Sequence, residues 1–92
     1  IMNRRLYVFA YDIGDNKRRS RVRRLLRAYA IGGQKSLFEC LLSVSERESL
    51  CNALKAVLDK GDKVVVALLP DNGEYLPFGR AKPLVSELFL MV

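Results

Sequence analysis

The sequence predicts a small α+β sandwich in which strands and helices alternate. Three observations carry that reading. Residues 5–12 form a near-continuous run rich in Leu, Tyr, Val and Phe, the composition of a strand buried on both faces. In the next segment Val22, Leu25, Leu26 and Tyr29 fall at i, i+3, i+4 and i+7, one apolar stripe of a helix. A second such stripe, Leu50, Leu54, Val57 and Leu58, is followed by the Val-rich run Asp62–Leu69. With 92 residues the chain is one domain, 1–92, and a chain this short buries only roughly 60–65% of its unfolded surface.

Each element has its boundary signals. Ile13-Gly14-Asp15-Asn16 is a turn, and Asp15 or Asn16 can cap the helix that follows. Ile31-Gly32-Gly33 is expected to end that helix, with Gly32 in a left-handed cap. Residues 34–44 are strand-like but irregular, either two short strands or one bulged strand. Ser45-x-x-Glu48 matches a capping box for the second helix, which closes at Lys60-Gly61. Pro70-Asp71-Asn72-Gly73 is a turn, and 84–92 is an apolar terminal strand. The order β-α-β-β-α-β with one extra strand fits a ferredoxin-like fold. An apolar strand left on an open edge invites aggregation, so a homodimer is expected, with 84–92 pairing with the partner's sheet.

Charge and absences bound the function. The net charge is +6, and residues 1–35 hold ten Lys/Arg against two acids while 36–92 hold six against eight. Seven of those cations lie in Lys17–Arg27 with no acid among them. A clustered basic face is the electrostatic footprint of a polyanion partner; the plain reading of the same residues is a solvated helix face. The chain has no His, which excludes imidazole catalysis and His-based zinc sites within it. Cys40 and Cys51 lack metal-site spacing and read as small apolar residues of a reducing compartment. No charged-then-apolar leader stands at the start, Ile1 precedes an expected natural start at Met2, and no apolar run approaches the roughly 20 residues that span a bilayer. A cytoplasmic protein without a membrane partner is expected.

Asp12 stands at the end of the first apolar run, beside the arginines. A carboxylate delivered to the mouth of a fold next to cations suits a metal ion held against phosphate. The plain alternative is a helix-start residue bonded to nearby backbone N–H groups or paired with Arg18, which the helical phase aims back toward the strand mouth. Arg23, Arg24 and Arg27 point to solvent. Phe38 reads as core before base-stacking platform, and Ser36 as a residue of an irregular strand. Tyr7, Tyr11 and Tyr29 have apolar neighbours that favour packing, and Tyr75 could stack on a base.

Tyr11-Asp12-Ile13, Asp15, Lys17-Arg18-Arg19, Val22, Leu25-Leu26, Tyr29 and Gln34-Lys35-Ser36-Leu37-Phe38-Glu39, in that order and spacing, resemble the signature of the CRISPR-associated Cas-two family of adaptation proteins and endonucleases. The resemblance covers about the first 44 residues. Where many members carry a basic residue, this chain has Gly32-Gly33. The resemblance implies a ferredoxin-like fold, a symmetric homodimer, and a role in spacer acquisition for antiviral defence, with the dimer bridging subunits of the Cas-one integrase. It also implies a magnesium-dependent endonuclease acting on single-stranded RNA or double-stranded DNA. Asp12 then maps to the catalytic residue and metal ligand, Arg18 and Arg19 to nucleic-acid contacts beside Arg23, Arg24 and Arg27, and Tyr11, Ser36 and Phe38 to supporting positions.

One carboxylate holds Mg²⁺ poorly, since the ion takes six oxygens in near-octahedral geometry. Two Asp12 side chains facing each other across a dimer axis would supply two. Three functions therefore compete: a metal-dependent phosphodiesterase, a structural adaptor that binds DNA, and an unrelated ferredoxin-like module that binds RNA or a small regulator.

Overall fold

The structure is a computed structural model, and it describes residues 3–69 and the backbone of 87–91. Seven elements follow in order: β1 (Arg5–Asp12), α1 (Asn16–Arg27), β2 (Ala30–Gln34), β3 (Leu37–Leu42), α2 (Val44–Val57), β4 (Lys63–Leu68) and β5 (Glu87–Met91). They build one sheet in the order β2-β3-β1-β4-β5, with every neighbouring pair antiparallel. This is the ferredoxin-like topology with one added strand.

The core follows from strand alternation. Tyr7, Phe9 and Tyr11 of β1 share one face with Phe38, Cys40 and Leu42 of β3 and with Val64, Val66 and Leu68 of β4. Val22 and Leu26 of α1 and Leu50 and Leu54 of α2 pack down on that face, so both helices lie on the same side. The alternate residues, Leu6, Val8, Ala10 and Asp12 on β1, look the other way. No helix among the described residues is long and apolar enough to cross a membrane.

Three expectations shift. The first helix ends at Arg27, not at Ile31, with Ala28 as its cap in ordinary helical geometry. Pairing with β3 claims the chain from Ala30 onward, and Ile31 is the extra residue at a bulge between Ala30 and Gly32. The left-handed glycine is Gly33 (φ 124°), because a Cβ there would collide with the Leu37 carbonyl oxygen. The irregular 34–44 stretch is therefore the end of β2, a turn at Lys35-Ser36, and β3.

The second helix starts two residues earlier than Ser45 and Glu48 suggest. Ser43 caps it, accepting from the Glu46 N–H at 3.1 Å, while the Glu46 carboxylate accepts from the Ser43 N–H at 2.8 Å. Both serines fit the capping pattern; Ser43 wins because β3 ends at Leu42 and because Glu46 is also clamped by Arg4 at 2.9 Å. Within the chain β5 runs along β4, from Leu68↔Glu87 to Val64↔Met91. The expected turn at 70–73, Tyr75 and residues 84–86 and 92 lie outside the described residues.

Candidate nucleic-acid interface

Helix α1 carries the basic residues, and its packing sorts them into two sets. Asp15 caps it, accepting from the Arg18 N–H at 2.9 Å. Val22 and Leu26 anchor it to the core, with Leu25 half-buried beside them. At 100° per residue, the positions flanking that stripe are Arg18, Arg19 and Arg23, and the positions opposite it are Lys17, Arg21, Arg24 and Arg27.

The flanking arginines are engaged by the protein. Arg18 donates from Nε to Asp62 Oδ2 at 2.7 Å and from Nη2 to Oδ1 at 3.3 Å, with Asp59 and Asp15 carboxylates 3.8 and 3.9 Å from its Nη1. The Arg18 hydrogen bond, and then the Asp59 N–H, hold the Asp62 carboxyl below the usual aspartate value. Arg19 donates to the Ile13 carbonyl at 2.9 Å and to the Asn16 side-chain oxygen. Arg23 donates from Nε to the Tyr11 hydroxyl at 3.3 Å, and that hydroxyl donates to the Lys35 carbonyl at 3.0 Å. Tyr11 is thus tied to both α1 and the β2–β3 turn, with its ring 6.3 Å from that of Phe38.

The outer set is different. Lys17, Arg21, Arg24 and Arg27 are all exposed, and none of their side chains has a hydrogen bond or ion pair among the described residues. Sequence reasoning pointed Arg23, Arg24 and Arg27 to solvent; Arg23 is instead half-buried, because its position beside the apolar stripe brings it onto the Tyr11 hydroxyl. The same reading passed over Lys17 and Arg21. The helical phase of Val22 and Leu26, carried round to the opposite face, was the signal that would have found them.

Asp12 ends β1 on the sheet face away from the helices, exposed, with Lys63 as its register partner. Its side chain has no hydrogen bond or ion pair among the described residues. Arg18 does not meet it, contrary to the pairing weighed from sequence. The reason is parity: α1 lies over the odd residues of β1, and Asp12 is even. Arg18 instead reaches Asp62, one residue before Lys63. Ser36 is an exposed turn residue whose carbonyl accepts from the Tyr11 N–H at 3.2 Å, and Phe38 is buried core. Cys40 is also core; burial, and next the Glu39 charge, push its thiol up to about 12. No group of three or more His, Cys, Asp or Glu among the described residues is placed to hold a metal ion.

Comparison with known proteins decides the family. Residues 5–74 match the family model described as CRISPR associated protein Cas2. The chain belongs to the Cas2 family. It is 30% identical over 88 residues to "CRISPR-associated endoribonuclease Cas2 1" of Thermodesulfovibrio yellowstonii, covering 95% of this chain and 96% of that one. It is 42% identical over 60 residues to "CRISPR-associated endonuclease Cas2 2" of Thermus thermophilus, 65% of this chain and 67% of the relative. Among solved structures, a crystal structure of cas2 superposes with a TM-score of 0.69 at 28% identity, covering 97% of this chain and 99% of that chain. The hypothetical protein TT1823 from Thermus thermophilus superposes with a TM-score of 0.66 at 34% identity, covering 87% and 98%. Cas2 membership removes the reading of an unrelated ferredoxin-like module.

Proposed function

We propose that this Cas2 chain acts in the cytoplasm in spacer acquisition, as a homodimer that binds nucleic acid and bridges two subunits of the Cas-one integrase. The observation that carries the binding role is the outward row of Lys17, Arg21, Arg24 and Arg27, four exposed cations that no carboxylate among the described residues engages. Phosphates release condensed counterions when such a row neutralises them. Arg18, Arg19 and Arg23 support the row from behind by fixing α1 to the strand mouth, the β2–β3 turn and the start of β4. Self-association is supported by the sheet face turned away from the helices, where Leu41 is 43% exposed and Val65 half-buried beside the buried Val8. Within the chain β5 lies along its own β4; in the dimer the 84–92 tail would take the same seat on the partner's sheet.

The test is duplex affinity measured over a range of salt. Gln at Lys17, Arg21, Arg24 and Arg27 should weaken binding irrespective of sequence. The log–log salt slope should flatten by about 0.9 for each phosphate that is no longer neutralised. A slope unchanged in the fourfold variant would leave the row as a solubility device.

A second activity, endonucleolytic cleavage of single-stranded RNA or double-stranded DNA, is favoured by Asp12, a carboxylate held out on a strand end with no partner among the described residues. Relatives of this chain bear the names endoribonuclease and endonuclease. Mg²⁺ is the ion suited to Asp12, because it is commonly held by one or two carboxylates with phosphate and water completing its shell. When bound, it supplies Lewis-acid activation of a phosphoryl oxygen and orients a water. Since one carboxylate holds the ion poorly, the Asp12 side chains of both subunits would be its protein ligands, while the cations of α1 would hold the substrate backbone.

A further inference from the structure

Two carboxylates stand on the open face, the sheet face turned away from the helices, and they differ in access. Glu39, opposite Val8 of β1 and Gly32 of β2, is only 7% exposed, and its Oε2 has no hydrogen-bond partner among the described residues. Its Oε1 lies 2.8 Å from where a Cβ at residue 32 would stand, so it fills room that only glycine leaves. Asp12 is exposed at the margin of the face, where β1 ends. It is the carboxylate of the two that a phosphate reaches, and its own charge repels one. The outer row of α1 is poorly placed to offset that repulsion, because α1 packs on the other side of the sheet.

Two lysines stand level with Asp12, one on each side of it. Lys63 of β4 is its register partner, and residues directly opposite in an antiparallel pair share a face, with Cβ atoms about 4.5–5.5 Å apart. The preceding residue, Asp62, is buried and held by Arg18 at 2.7 Å, while Lys63 is left exposed with no ion pair among the described residues. On the β3 side the pairing Ala10↔Leu37 continues through the Tyr11 N–H, which donates to the Ser36 carbonyl at 3.2 Å, and the next step brings Lys35 level with Asp12. The turn fixes Lys35 there, for its carbonyl accepts from the Tyr11 hydroxyl at 3.0 Å. Its φ is 43°, a left-handed backbone that is costly for a lysine. Its side chain is exposed and has no hydrogen bond or ion pair among the described residues.

Resting on the cleavage reading above, we propose that Lys35 and Lys63 are the phosphate-contacting residues of the Asp12 site, holding the non-bridging oxygens of the phosphodiester brought to that carboxylate. With neighbouring strands about 4.8 Å apart, their backbones stand roughly 10 Å from each other with Asp12 midway. Each ammonium brings three donors on a long, flexible stem. Two cations around one carboxylate leave the site net positive, so a phosphate is drawn in where Asp12 alone would repel it. The labour is then divided: the α1 row holds the strand at a distance from the bond to be cut, and the two lysines hold the phosphate at that bond. Contacts of this kind go to the backbone and carry no sequence preference.

Binding without metal separates these contacts from the cleavage they serve. Affinity for a single-stranded RNA and for a duplex DNA is measured in EDTA over a range of salt, beside cleavage of each in Mg²⁺, for the wild type, Lys35→Asn, Lys63→Gln and the double variant. Asparagine accepts the left-handed backbone at residue 35 and both positions are exposed, so neither change burdens the fold. On the substrate that is cleaved, the double variant should lower the log–log salt slope by about 1.4 for RNA or about 1.8 for duplex, two contacts' worth. It should also cut kcat/KM at least tenfold, and Lys63→Arg should keep the wild-type slope. A slope unchanged in the double variant but lowered in the fourfold α1 variant overturns the lysine contacts and leaves the binding reading standing. A lowered slope with unchanged cleavage puts the lysines on the nucleic acid away from the bond that is cut, and overturns their assignment to the Asp12 site. A wild type that binds but cleaves neither substrate overturns the cleavage reading itself, and the site with it.

Discussion

The two faces of this sheet are built from the same strands and do opposite work. On β1, Tyr7, Phe9 and Tyr11 point into the core under α1 and α2, while Leu6, Val8, Ala10 and Asp12 point away from it. The helix-side face meets its polar groups internally: Tyr11 is bonded to Arg23 and Lys35, and Arg18 to Asp62. Among the described residues the open face keeps its polar groups unmet, with Glu39 buried and unpaired and Asp12 exposed and free. Stability is thus concentrated on one side and the capacity for contact on the other. A strand period of two lets eight residues serve both.

The largest effect that separates the faces should come from matched leucine truncations. Leu54 of α2 is fully buried against the sheet, and Leu41 is an exposed member of the face away from the helices. Leu54→Ala should cost about 2–5 kcal/mol of unfolding free energy. Leu41→Ala should cost about 0.5 kcal/mol or less in the monomer while weakening self-association. Urea titration at a concentration where the chain is monomeric measures the first pair of values. Equal costs would mean that the two faces are not different in the way described.

A smaller effect should appear on acidification, again confined to the helix side. The Arg4 hydrogen bond, followed by the Ser43 backbone, pulls the Glu46 carboxyl down to about 2, and Arg18 lowers Asp62. Both carboxyls therefore titrate lower in the folded chain than in the unfolded one, whose values lie near about 4. Their stabilisation is fully present above that range and fades as pH falls toward about 2. Tm should stay level from neutral pH to about pH 5 and then drop. In E46Q/D62N the drop should be shallower, from a lower plateau. An equally steep drop in that variant would place the acid sensitivity in other carboxylates.

What could be read in the sequence divides along the same line. The strands 5–12 and 62–69, the Val22–Leu26 stripe and the Asp15 cap follow from local pattern, because burial on one face leaves a periodic trace. The helix end did not, since the glycines at 32 and 33 look like a cap until Ala30 is seen paired with Cys40 in β3. The choice between Ser43 and Ser45 turned on Arg4, 42 residues from Glu46 in sequence. Arg18 was expected near Asp12 because the two are close along the chain, and its true partner, Asp62, is 44 residues away. Long-range ion pairs leave no periodic signal. Asp12 itself was visible as the lone acid ending an apolar run, while the orphaned state of Glu39 depends on Gly32 across a strand pair.

The smallest change in stability should come from Asp12→Asn, and that smallness is what makes the variant useful. The Asp12 side chain touches no described partner, so the amide should leave the unfolding free energy within about 0.5 kcal/mol and duplex binding nearly intact. Any Mg²⁺-dependent cleavage should vanish, because the amide keeps the shape and removes the charge that would hold the ion. With no His in the chain, the pH dependence of cleavage should show no imidazole titration. Cleavage that persists in highly purified Asp12→Asn protein would assign the activity to another site or to a contaminant. Spacer integration with Cas-one that persists after cleavage has vanished would show that the open-face carboxylate is dispensable for bridging, and that the two activities occupy separate parts of the molecule.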